Sequence, residues 1–92
     1  MRLFWDEAKR RRTVAERDLD FADAAQVFAG PTFEFEDRRK DYGERRMVCV
    51  GFLRGRMIVT VYRPQGSGRR IISMRKANDR EQKIYGARLG GS

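Results

Sequence analysis

Arg69, Arg70, Ser73 and Arg75 share one stretch of chain, and Lys76 and Arg80 follow closely. Guanidinium groups grip phosphate oxygens through paired hydrogen bonds and keep their charge at any physiological pH. A serine hydroxyl adds a neutral donor to the same oxygens. Such a set can bind phosphate and stabilise charge that builds on a phosphoryl group in reaction. On a strand, residues i and i+2 share a face. Arg69, Ile71, Ser73 and Arg75 are therefore expected on one side, with Arg70, Ile72 and Met74 on the other. The plain structural alternative is a solvated run, or ion pairs with Glu44, Asp79 or Glu81.

Other residues could join this set. Glu81 and Tyr85 stand four apart on an expected helix and so share a face. Glu81 also reads as a structural salt bridge and Tyr85 as core packing. Arg45 and Arg46 enter a neighbouring strand with opposite facings, so only one can share the side of Arg75. Lys9, Arg10, Arg11 and Arg12 form a helical basic band, which for the three arginines reads most simply as a solubilising face. Trp5 reads as core, with stacking on a base as the sharper alternative. Cys49, between Val48 and Val50 on a buried strand, reads as an inert thiol.

Composition excludes much else. There is no histidine and one cysteine. That removes Ser-His-Asp and Cys-His catalysis, histidine metal sites, thiolate zinc sites and intrachain disulfides. The carboxylates concentrate in the first half, so no hard-metal cage is expected beside the basic segment, and no cofactor. Residues 1–37 carry six Lys/Arg against nine Asp/Glu, and residues 38–92 fifteen against four, giving net +8. A basic half of this strength is the footprint of a nucleic-acid surface. No apolar stretch approaches a membrane span and no secretory signal opens the chain, so a cytoplasmic protein is expected.

The elements that must position these residues follow from local signals. A chain of 92 residues makes one domain, 1–92. Met1–Trp5 reads as a short strand. Asp6 caps a helix from Glu7 to about Arg17, and Asp20 caps a second, Phe21–Ala29, with Phe21, Ala24, Ala25 and Phe28 on one face. Gly30-Pro31 stops it. Thr32–Asp37 alternates as a half-buried strand. After a polar loop, Arg38–Glu44, strands are expected at Arg46–Leu53 and Arg56–Arg63, joined by an Arg54-Gly55 turn. A turn at Pro64–Gly68 leads to a strand at Arg69–Arg75. Asn78 caps a last helix to about Arg88, with Ile84 and Tyr85 inward. Gly86 weakens its last turn, and Leu89–Ser92 should fray. The order β-α-α-β-β-β-β-α gives an α+β domain with a mostly antiparallel sheet and its helices on one side.

Several strings resemble one family. Phe4-Trp5-Asp6-Glu7-Ala8-Lys9 resembles the start of BrnT-type toxins, as does Leu19-Asp20-Phe21-Ala22-Asp23-Ala24 leading to Val27-Phe28. Glu44-Arg45-Arg46 before a strand ending in Val50-Gly51 also fits. The strongest match is Arg70-Ile71-Ile72-Ser73-Met74-Arg75-Lys76-Ala77, followed by Arg80-Glu81 and Lys83-Ile84-Tyr85. The family's Lys-His-Gly before the second helix reads Glu16-Arg17-Asp18 here, and Arg17 keeps a cation there.

The resemblance implies a small RelE-like fold and a ribonuclease that arrests translation. It implies neutralisation by a BrnA-like antitoxin with a ribbon-helix-helix end, in a heterotetramer built on the antitoxin dimer. DNA contact would belong to the antitoxin. It adds Lys9 and Arg46 to Arg75, Glu81 and Tyr85 as expected catalytic residues. Arg45, Arg69, Arg70, Ser73, Lys76 and Arg80 would contact RNA. RNA can be cleaved by its own 2′-OH when a protein aligns the phosphate, stabilises the phosphorane and manages two protons. Neither metal nor histidine is required. The alternative reading is a non-catalytic RNA-binding module using the same basic face. A DNA-binding accessory protein is disfavoured, because no DNA-binding helical motif is visible.

Overall fold

The computed structural model describes residues 1–89. Chain order is β1 (Leu3–Phe4), α1 (Glu7–Arg17), a 3-10 turn (Phe21–Asp23), α2 (Ala24–Ala29), β2 (Phe33–Glu36), β3 (Met47–Leu53), β4 (Arg56–Gln65), β5 (Gly68–Lys76) and α3 (Asp79–Arg88). The strands form one sheet in the order β1-β5-β4-β3-β2, antiparallel except for the parallel β1–β5 pair. The α+β class and element order are as expected. The expected fraying of Leu89–Ser92 falls, beyond Leu89, outside the described residues.

The helix starts are set by their caps. The Asp6 carboxylate accepts from the Lys9 backbone N–H at 3.0 Å, and that of Asp20 from the Ala22 N–H at 2.9 Å. Asn78 and Glu81 form a reciprocal capping box on α3. The single helix expected at Phe21–Ala29 is instead a 3-10 turn followed by α2, because Asp20 caps the turn and the α-helical ladder begins only at Ala24.

Arg54 and Gly55 both take positive φ, 49° and 79°, the geometry that matches hairpin twist. The next turn is tighter than Pro64–Gly68, since Pro64 pairs with Arg69 and Gln65 with Gly68. Proline is tolerated there because β3 begins at Met47, opposite Tyr62, so the other edge of β4 is free at Pro64.

The helices cover both faces of the sheet, not one. Leu19, Phe21, Ala24 and Val27 pack with Cys49, Ile58, Tyr62, Ile71 and Met74. The alternate residues Val48, Val50, Met57 and Val59 form a second cluster with Ala77, and Tyr85 and Leu89 of α3 pack on it. Tyr85 faces inward as expected, but Ile84 is 51% exposed. It lies one residue, or about 100° of helix, away from the row that meets the sheet.

A β-bulge lies between the β4 pairs Val61↔Ser73 and Tyr62↔Ile71, leaving Ile72 as the extra residue of β5. It reverses the expected facing of one end of β5. Ile71 and Met74 join the α2-side cluster. Ser73 and Arg75 face the α3 side, opposite Val61 and Val59. Arg69 therefore falls on the face away from Arg75, and Arg70, opposite Arg63, takes the side of Ser73 and Arg75.

Candidate active site

Between α3, the sheet and the β2–β3 loop lies a cleft of about 510 Å³. Its floor is Val48, Val50, Val59 and Val61. Its polar walls are Ser73 and Arg75 from β5, Glu81 and Tyr85 from α3, and Asp37, Arg38 and Arg39 from the loop. An apolar valine floor under converging charged groups lowers the local dielectric and strengthens each of their interactions.

Arg75 and Glu81 are joined by a fork. Nη1 donates to Oε1 and Nη2 to Oε2, each at 2.7 Å. Glu81 also accepts from the Asn78 backbone N–H at 3.0 Å, so the cap of α3 fixes the carboxylate that fixes the guanidinium. The hydrogen bonds from Arg75 hold the Glu81 carboxyl at about 2, well below the usual carboxylate range. It is charged at neutral pH and cannot act as a proton donor there. The same bonds strengthen the hold of Arg75 on its proton, against the nearby charge of Arg39.

Arg39 has its own support. Its Nε and Nη2 donate to the two oxygens of Asp37, at 2.9 and 2.8 Å. Asp37 is buried, also accepts from the Tyr42 hydroxyl at 3.1 Å, and its carboxyl is pushed down by the hydrogen bonds from Arg39. On sequence alone the alternating strand ends at Asp37 and Arg38–Glu44 is a polar loop, and none of Asp37, Arg39 and Tyr42 is singled out. The available signal was Asp37 closing an alternating strand with Arg38-Arg39 directly after it.

On the cleft wall the Tyr85 ring stacks on Phe35, with centroids 6.1 Å apart and planes 18° apart, and lies 5.7 Å from the Phe33 ring. Tyr85 is thus both packed and in the cleft. Ser73, Arg75, Glu81 and Tyr85 are brought together in this cleft.

Other expected residues lie elsewhere. Arg69 sits on the opposite face, stacked over the rings of Phe28 and Tyr62 at 4.3 and 4.6 Å, with Glu34 at 3.7 Å. The bulge puts it there. Lys9 lies near the start of α1, about 12 Å along the axis from Arg17, and does not line the cleft. Arg17 instead reaches β5, donating to the Met74 carbonyl at 2.9 Å, and flanks a shallow groove with Arg75 and Lys76.

Arg46 has the facing of Val48, hence of Arg75, but its guanidinium stacks on Tyr42 at 4.2 Å and bonds Glu44 at 3.1 Å outside the cleft. Glu44 also stands 3.8 Å from Arg63, so it bridges two cations of that row. Arg45 is exposed, 3.8 Å from Glu36. Arg70 is half-buried on the face of the cleft, Arg80 is exposed in the first turn of α3, and Lys76, opposite Ile58, is exposed on the other face of β5. Trp5 packs on the core and donates to Glu7. Burial pushes the Cys49 thiol up to about 12, which makes it inert at neutral pH.

Among the described residues, no three His, Cys, Asp or Glu side chains cluster as a metal site. No helix among them is long and apolar enough to cross a membrane. No curated protein matches the chain. The family model for the ribonuclease toxin BrnT of type II toxin–antitoxin systems matches residues 5–81, a span that runs from Trp5 through strands β2 to β5 to Glu81. The cleft's two central partners, Arg75 and Glu81, both lie inside that match, and the chain belongs to the BrnT family of type II ribonuclease toxins.

Proposed function

We propose that the cleft beside α3 is the centre of a metal-independent endoribonuclease of RelE-like type, which halts translation by cutting RNA in the cytoplasm. The observation that supports this most is the convergence of Arg75, Arg39 and Ser73 on one valine-floored cleft, each arginine held by a carboxylate. A scissile phosphate there meets two preoriented guanidinium groups and a hydroxyl. Attack of the 2′-oxygen on phosphorus forms one P–O bond, gives up the 2′-hydroxyl proton to water and breaks the bond to the 5′-oxygen, leaving a 2′,3′-cyclic phosphate. The charge gained by the phosphoryl oxygens falls to Arg75 and Arg39.

Glu81 is a positioning residue in this scheme, since both its carboxylate oxygens are held by Arg75 and one also by the Asn78 N–H. The Tyr85 phenol is the cleft group suited to deliver a proton to the leaving 5′-oxygen. Arg70 extends the phosphate contacts along the same face, and Lys76, Arg80 and Arg17 add cations outside the cleft. An antitoxin of BrnA type, dimeric through a ribbon-helix-helix end, would silence the enzyme and carry its DNA contacts.

The test is RNA cleavage by the purified chain in excess EDTA. Undiminished cleavage is expected. Abolition by EDTA with rescue by magnesium would overturn the metal-free scheme.

A further inference from the structure

Helix α3 has a second flank. Glu81 and Tyr85 line the cleft, while the next residues along, Gln82 and Gly86, line a separate groove with Phe52, Arg54, Arg56 and Lys76. Phe52 faces the same side of the sheet as the cleft floor, opposite Met57 and packed on the same cluster. The groove lies across α3 from the cleft, at the edge where Lys76, opposite Ile58, and Arg56, opposite Leu53, reach it from the other face of the sheet.

Gly86 is the unusual feature. A glycine inside a helix weakens it relative to alanine. Packing does not require it here, since a Cβ built at Gly86 meets nothing within 4 Å. Its backbone conformation does not require it either, being helical. The missing side chain leaves the groove open beside an aromatic ring. Arg56 and Lys76 are exposed on the rim, and Arg54 is 65% exposed with Asp23 at 3.5 Å. An aromatic face with cations beside it is the pattern that holds a base and its phosphate in single-stranded nucleic acid.

We propose that this groove is a second nucleotide subsite, in which the base of an RNA residue next to the scissile one enters beside Phe52 and Gly86 while its phosphate meets Arg54, Arg56 and Lys76. The inference rests on the RNA-cleaving reading of the cleft. It makes the substrate a single strand that bends around the start of α3, with one nucleotide on each flank.

The probe is a fluorescein-labelled, 2′-O-methylated eight-nucleotide RNA, which cannot be cleaved, titrated by anisotropy. Gly86→Leu should weaken binding about tenfold, with a Tm at or above that of the unchanged chain and an unaltered salt slope. Arg56→Gln should reduce the slope of log affinity against log salt by about 0.7. Equal binding by folded Gly86→Leu would overturn the subsite. Should Gly86→Leu lower Tm, Arg56→Gln decides, and an unchanged slope overturns it. Loss of affinity for the antitoxin alone, with RNA binding intact, would assign the groove to a protein partner and also overturn it. An unchanged chain that neither binds nor cuts RNA would instead remove the ribonuclease reading itself.

Discussion

Arg75 and Glu81 meet through two parallel hydrogen bonds of 2.7 Å, tying the last strand to the first turn of the last helix. One contact thus serves two ends. It holds α3 over the sheet, and it aims a guanidinium into the cleft. At 43% exposure for Arg75 and 20% for Glu81, the pair is half-wet, so it contributes about 1 kcal/mol to stability.

The pair should set an acid limb of stability. Glu81 has a folded pKa of about 2 against an ordinary value of 4.5. A depressed carboxyl pKa stabilises the fold above the unfolded value, and that contribution fades as pH falls through the folded one. The Tm gap between the unchanged chain and Glu81→Gln should be constant above about pH 5 and close between pH 4.5 and 2. Thermal melts across that range check it, and a gap that persists at pH 2 would refute the pairing.

Arg69 and Arg70 should behave oppositely, because the bulge at Ile72 separates them by face. Arg69→Ala removes a cation stacked on Phe28 and Tyr62 and should cost about 1–2 kcal/mol of stability, with little change in RNA affinity. Arg70→Ala should leave Tm nearly unchanged and weaken RNA binding. Paired melts and anisotropy titrations test this, and the reverse assignment would place the RNA face on the α2 side.

Affinity for single-stranded RNA should fall linearly on a log–log salt plot. Four to six phosphate contacts give a slope of about −3 to −4. A slope near zero would mean that the basic half of the chain is not the RNA surface.

Much of this architecture was legible in local signals. Asp6, Asp20 and Asn78 mark the helix starts, and the Arg70–Ala77 string marks the central strand of the site. The facing of Arg69 was not legible, because a bulge exists only in the pairing of two strands, and Ile71-Ile72-Ser73 reads equally well with or without one. Arg38 and Arg39 escaped because a loop has no period to set their direction. The coverage of both sheet faces did leave a trace. Val48-Cys49-Val50 is apolar without alternation, the pattern of a strand buried on both sides. Lys9 shows the limit of carrying a motif by position, since its helix runs on for two more turns before Arg17 reaches β5.

Single-turnover RNA cleavage by Arg75→Ala and Arg75→Lys, with melts of both, tests the central assignment most directly. The alanine variant should lose about 10²–10³ in rate, the scale of one lost transition-state donor, while Tm falls by about 4–8 °C. The lysine variant should recover much of the stability and little of the rate, because an ammonium cannot reproduce the fork. Full activity in the folded alanine variant would show that Arg75 ties α3 to the sheet and takes no part in cleavage.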